Sequence, residues 1–220
     1  MPLRLAKPAM RQALSRVQRR KSGCLPIGTS RCIVVDLRPA PAFARCFIPG
    51  SYCIADFEWL SLLRENLPEQ RRVYVLAERE AREEIERRFR RHNFEVAGWV
   101  HPGVLWDCGA DARSLGELEQ LSPEATVLRV AAWKTLLVDV RKPDAFRAGR
   151  VPEALNISID RLRASVAGLP RETRITLVCD DGELSCFGAS VLRNLSYANV
   201  SILGGGFRAY MESGLPIARG

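Results

Sequence analysis

Val138-Asp139-Val140-Arg141 repeats Val35-Asp36-Leu37-Arg38 at a distance of 103 residues, and reading these tetrapeptides as one unit written twice decides the fold. The same register holds around them. Ala42-Phe43 returns as Ala145-Phe146, Ile48-Pro49 as Val151-Pro152, and Gly103 as Gly206. The 220 residues therefore divide into two copies, 32–111 and 112–220, preceded by a basic segment, 1–31, that groups with the first copy. Each copy has about the length that a small domain needs to bury its own core.

Within each copy short apolar runs alternate with helical patterns. In the second copy, residues 135–140, 156–158, 175–179 and 200–203 read as strands. Ser122-Pro123-Glu124 reads as a helix start, with the serine placed to accept a backbone N–H and proline tolerated at the first helical position. In the first copy, residues 79–91 read as a charged helix whose Ala81, Ile85 and Phe89 form one narrow apolar stripe. Such alternation predicts an α/β fold of two domains, each a mainly parallel sheet flanked by helices on both faces.

Composition narrows the function. With 47% apolar and 26% charged residues the chain reads as a packed globular protein, and no apolar run approaches the roughly 18 residues of a membrane span. The net charge of +8 suggests nucleic-acid binding until it is located. Arg4, Lys7, Arg11, Arg16, Arg19, Arg20, Lys21 and Arg31 all precede the first acid, Asp36, and beyond that point bases and acids balance. Nucleic acid is therefore not the expected partner. Residues 8–21 set Met10, Ala13, Leu14 and Val17 on one face among arginines. This amphipathic segment is read first as a helix packing on the first copy; a mitochondrial presequence and a binding arm for an acidic partner are its alternatives.

Cysteines at 24, 32, 46, 53, 108, 179 and 186 are odd in number and show no C-x-x-C pairing. Reduced thiols in a cytoplasmic setting are expected, with no metal and no cofactor. Most such cysteines serve as small buried apolar residues, and Cys186 is read that way rather than as a resolving thiol. His92 and His101 stand at no ligand spacing.

Cys179 differs from the others. It ends the strand run Ile175-Thr176-Leu177-Val178 and is followed by Asp180-Asp181-Gly182-Glu183-Leu184-Ser185 and a helical pattern through Ala189, Leu192 and Leu195. A thiol at the carboxyl end of a parallel strand, ahead of a helix N-terminus, meets unpaired N–H groups that favour its thiolate. The thiolate is the nucleophile, and such a place suits attack on a sulfane sulfur and its storage as a persulfide. Gly182 supplies backbone freedom for the turn.

The second copy resembles a rhodanese domain throughout. The resemblance rests on Leu137 to Arg141, on Phe146 through Val151-Pro152 to Ile157, on Cys179-x-x-Gly182-x-x-Ser185, on Asn199-Val200, Leu203, Gly205-Gly206 and Ala209-Tyr210, and on Gly214-Leu215-Pro216. It implies that Cys179 accepts sulfur, that residues 180–184 loop around it with Ser185 closing the motif, and that Asp139 and Arg141 support the site. It also implies a small sulfur donor and a thiol, cyanide or protein acceptor. Two features depart from the family pattern. Leu184 stands where single-domain members commonly hold an arginine, and Asp180, Asp181 and Glu183 would repel thiosulfate and push the Cys179 pKa up. Five residues separate Cys179 from Ser185, as in the sulfur-transferring relatives; the related phosphatases use a longer loop.

In the first copy the strand around 72–76 runs into Ala77-Glu78-Arg79, so the partner of Cys179 is Leu76, or Ala77 if the pairing slides by one. Neither is a nucleophile. The chain is thus expected to be a tandem rhodanese-like sulfurtransferase with an inactive, structural first domain. A non-catalytic binding module and an accessory domain feeding a separate oxidising enzyme are the alternatives.

Overall fold

The computed structural model describes residues 32–67, 72–78, 81–103, 105 and 115–220. The basic segment 1–31, and the expected boundary between the copies near 111–112, lie outside the described residues. Two compact units are present: one holds the described residues through Arg38 and Arg45–Glu117, the other Pro39–Ala44 and Leu118–Gly220.

The first unit carries β1 (Cys32–Asp36), β2 (Ser51–Cys53), β3 (Arg72–Leu76) and β4 (Val96–Val100), parallel and in the order β2-β1-β3-β4. Helix α1 (Ala40–Arg45), whose residues through Ala44 group with the second unit, follows β1 in the chain; α2 (Leu60–Asn66) follows β2, and α3 (Arg82–Arg91) joins β3 to β4. Ile85 and Phe89 bury the apolar stripe of α3 as expected, but Ala81 is exposed and precedes the helix at φ 61°. A left-handed residue turns the chain into α3, so the stripe begins one turn later than its spacing suggests.

In the second unit come β5 (Glu119–Leu121), α4 (Pro123–Ala131), β6 (Leu136–Asp139), α5 (Pro143–Ala148), β7 (Leu155–Asn156), α6 (Leu162–Ser165), β8 (Ile175–Val178), α7 (Glu183–Asn194), β9 (Val200–Leu203) and α8 (Gly206–Glu212). Its five strands are parallel, in the order β5-β9-β8-β6-β7. All four residues of β8 and of β9 are buried, which explains their unbroken apolar character: a central parallel strand has both faces covered. Ser122 caps α4 as its sequence suggests, accepting the Ala125 N–H at 3.2 Å. The edge strand β5 was not foreseen, because Glu119-Gln120-Leu121 has neither length nor alternation to mark it.

Close packing sets α7 against the sheet. A side chain on Gly188 would stand 2.9 Å from Leu177 and 3.2 Å from Ile159, so glycine lets α7 approach β8. Ser185 through Leu192 are all buried.

Both units use the same device at the end of their first central strand. Arg38 donates from Nε and Nη2 to the Asp36 carboxylate, with Nη2 reaching Asp36 at 2.6 Å and the Cys46 carbonyl at 2.7 Å. Arg141 does the same with Asp139 at 2.6 Å and the Gly149 carbonyl at 2.7 Å. The three residues of each set lie at the sequence offset of the repeated tetrapeptide.

Candidate functional site

Cys179 follows the last residue of β8, at the carboxyl end of a buried parallel strand and ahead of α7. Only Asp180, Asp181 and Gly182 form the turn between them. Glu183, Leu184 and Ser185, expected in the loop, occupy the first turn of α7, because Gly182 at φ 98° starts the helix. That earlier start brings helix amides to the sulfur. Gly182 N–H donates to Cys179 Sγ at 3.1 Å and Ser185 N–H at 3.3 Å. The Ser185 hydroxyl is fully buried and finds no nitrogen or oxygen partner; the group it favours is the Cys179 thiolate.

The thiol nevertheless has its pKa pushed up, and the chief cause is burial, Cys179 being 1% exposed. The Ser185 hydroxyl and the amides of Ser185, Asp181 and Gly182 act against this. The sequence pointed to the loop carboxylates as the cause of a raised pKa; burial takes that place. The acids are present all the same. Asp181 Oδ1 lies 4.0 Å from Sγ and accepts the Glu183 N–H at 3.1 Å, while Asp180, Asp181 and Glu183 are exposed.

Arg141 links the turn to β6. Its Nη1 reaches Asp180 Oδ1 at 3.3 Å while Nε and Nη2 hold Asp139, and its guanidinium stacks 4.4 Å above the Phe207 ring. Burial draws the Arg141 pKa down, but the hydrogen bonds and charge of Asp139 and Asp180 hold it above its ordinary value. Asp139 is fully buried and also accepts the Arg141 N–H at 3.0 Å.

Helix α8 supplies a support that sequence reasoning missed. Phe207 N–H donates to the Cys179 carbonyl at 2.7 Å and Arg208 N–H to the Asp180 carbonyl at 2.9 Å. With their carbonyls tied to α8, the residues of the turn leave amides free to face the sulfur. This contact needs Gly206: a Cβ there would lie 2.6 Å from the Cys179 oxygen, the Asp180 carbon and the Asp181 nitrogen. The Gly204-Gly205-Gly206 run was the available signal.

Cys186, one residue beyond Ser185, is buried, and its thiol is pushed up to about 12 by burial first and then by the charges of Cys179, Glu183 and Asp181. In the first unit, strand pairing places Asp36 beside Leu76, whereas in the second Asp139 lies beside Val178. Ala77, rather than Leu76, is therefore the counterpart of Cys179. Cys46 and Cys53 lie elsewhere in that unit, and His101 Nε2 stands 3.1 Å from Glu78. Among the described residues, no cluster of histidine, cysteine or carboxylate side chains is placed to hold a metal ion, and no helix is long and apolar enough to cross a membrane.

Residues 117–213 match the family described as Rhodanese-like domain. A sulfurtransferase from Allochromatium vinosum is 30% identical over 101 residues, which are 46% of this chain and 94% of that protein. Among solved structures, a rhodanese-related protein from Thermoplasma volcanium is 24% identical, with a TM-score of 0.39, over 46% of this chain and 97% of its own. A thiosulfate sulfurtransferase from Pseudomonas aeruginosa aligns with 100% of this chain and 44% of its own, at 14% identity and a TM-score of 0.39.

Proposed function

Because the chain belongs to the rhodanese-like sulfurtransferase family, we propose that it moves sulfane sulfur from a donor to a thiophilic acceptor through a persulfide on Cys179. The observation that carries this reading is the pair of N–H groups, from Gly182 and Ser185, aimed at Cys179 Sγ. Such donors stabilise charge on sulfur whether it sits on the thiolate or on the outer atom of a persulfide.

The reaction is a double displacement. The Cys179 thiolate attacks the sulfane sulfur of the donor; a new sulfur–sulfur bond forms as the donor's own breaks, and the leaving group departs with that bond's electron pair. A thiol, cyanide or a protein thiolate then attacks the outer sulfur, and the Cys179 thiolate leaves. No cofactor enters the balance. Asp139 and Arg141 act as positioning residues, tying β6 to Asp180 and so to the turn. Asp181 and Gly182 of the turn face the sulfur, with Asp180 and then Glu183 and Leu184 on either side of them in the chain, and Ser185 contributes its amide and hydroxyl. On this reading the first unit is a degenerate copy, supported by the shared Asp–Arg–carbonyl arrangement and by Ala77 at the nucleophile's place.

A second reading, a non-catalytic binding module, draws support from the burial of Cys179 and from its raised pKa. One experiment separates them. The protein is incubated with several sulfane-sulfur donors, the mass of the Cys179 peptide is followed, and transfer to cyanide is assayed. Wild type should gain one sulfur atom on Cys179 and turn over, and Cys179→Ser should do neither. If wild type gains no sulfur from any donor, the binding module stands.

A further inference from the structure

The groups facing the Cys179 sulfur from inside are neutral donors: two N–H groups and the buried Ser185 hydroxyl, which has no nitrogen or oxygen partner of its own. Outside them the charge is negative. Asp181 is held with Oδ1 4.0 Å from Sγ by the Glu183 N–H, and the Glu183 carboxylate is exposed on the first turn of α7. Arg141 offers no free charge to a donor, since it already serves both Asp139 and Asp180. One guanidinium thus stands against four carboxylates. Arg208 binds the turn through its amide, and among the described residues it makes no ion pair with these acids.

We propose that Asp181 and Glu183 make Cys179 selective for sulfur donors that carry a cationic group beside the sulfane sulfur, and turn it away from small sulfur oxyanions such as thiosulfate. This rests on the sulfur-transfer reading above. An anion approaching the sulfur is repelled by these exposed carboxylates, whereas an ammonium group beside the donor sulfur pairs with them. Cysteamine persulfide represents the favoured class. The Cys179 thiolate takes its outer sulfur, the sulfur–sulfur bond breaks, and cysteamine leaves as its thiolate.

The test compares the rate at which Cys179 gains sulfur from cysteamine persulfide and from thiosulfate, over a range of ionic strength. Wild type should load from cysteamine persulfide at least about tenfold faster. Salt should slow that reaction and speed loading from thiosulfate, because screening weakens attraction and repulsion alike. The double substitution Asp181→Asn with Glu183→Gln should shrink the ratio of the two rates by about tenfold and flatten both salt dependences. Asparagine keeps an oxygen for the Glu183 N–H, and the ratio cancels any change in thiol acidity. Equal loading from both donors, thiosulfate loading that falls with salt, or an unchanged ratio in the variant overturns the selectivity while leaving sulfur transfer in place. Failure of every donor to load Cys179 overturns both.

Discussion

Gly206 sits at φ 63° with three backbone atoms 2.6 Å from where a side chain would begin, so it answers both to conformation and to space. Gly214, at φ 72°, has nothing within 4 Å of the same point. Alanine at Gly214 should therefore cost only the backbone strain, about 1 kcal/mol, whereas Gly206→Ala must also part α8 from the turn and should cost about 2 kcal/mol or more. Urea unfolding of the two variants measures the difference; equal losses would deny α8 its role in holding the turn. Two of the buried thiols, Cys179 and Cys186, give pH predictions. With the Cys179 pKa raised by burial, the thiolate fraction grows through the alkaline range, and its alkylation by iodoacetamide should quicken as pH rises above neutral. Cys186 goes from its ordinary 9.0 to about 12 in the fold. A pKa raised on folding means that the unfolded chain gives up the proton first. The stabilisation is whole below pH 9 and is lost as pH climbs toward 12, by at most about 4 kcal/mol. Stability measured in steps across that window should fall less steeply in Cys186→Ala than in wild type, and parallel slopes would contradict this origin.

Among the elements, α4 shows most directly how sequence sets a boundary. Ser122 accepts the Ala125 N–H and Pro123 occupies the first helical position, where no N–H is needed. Ser122→Ala should lower stability by about 1 kcal/mol without altering sulfur loading, read by thermal unfolding beside the mass assay. The start of α7 was less legible. The sequence marked Cys179 as the end of a strand and the pattern through Ala189 and Leu192 as a helix, because burial on one face imposes visible periodicity. It did not show that Gly182 would adopt φ 98° and draw Glu183, Leu184 and Ser185 into the helix. That choice depends on tertiary contacts: the Phe207 and Arg208 amides take the carbonyls of Cys179 and Asp180 and leave the turn short. Ala81 before α3 is the same case, a left-handed residue with no glycine to announce it. The strand β5 escaped because its pairing with β9, rather than any pattern of its own, makes it a strand.

At the scale of the whole molecule the constant offset was the most informative feature of the sequence, and it reaches into atomic detail in the Asp36–Arg38–Cys46 and Asp139–Arg141–Gly149 sets. Where it fails is equally telling. Asp36 pairs with Leu76 and Asp139 with Val178, so the spacing from β1 to β3 exceeds that from β6 to β8 by one residue. Sequence alignment alone left Leu76 and Ala77 as rival counterparts of Cys179; strand pairing selects Ala77. Beyond it the two units diverge again. From Cys179 three steps lead to the left-handed Gly182 that opens α7, while from Ala77 four lead to the left-handed Ala81 that opens α3. Ala77 therefore stands one residue farther from α3 than Cys179 stands from α7. A thiol placed there gains position along the strand without the N–H groups that hold charge on sulfur. Ala77→Cys, made in the Cys179→Ser background, should gain no sulfur from donors that load Cys179 in the wild type. Loading of the introduced thiol at a rate near that of Cys179 would mean that strand position alone suffices, and that the short turn into α7 is not what makes Cys179 a sulfur acceptor.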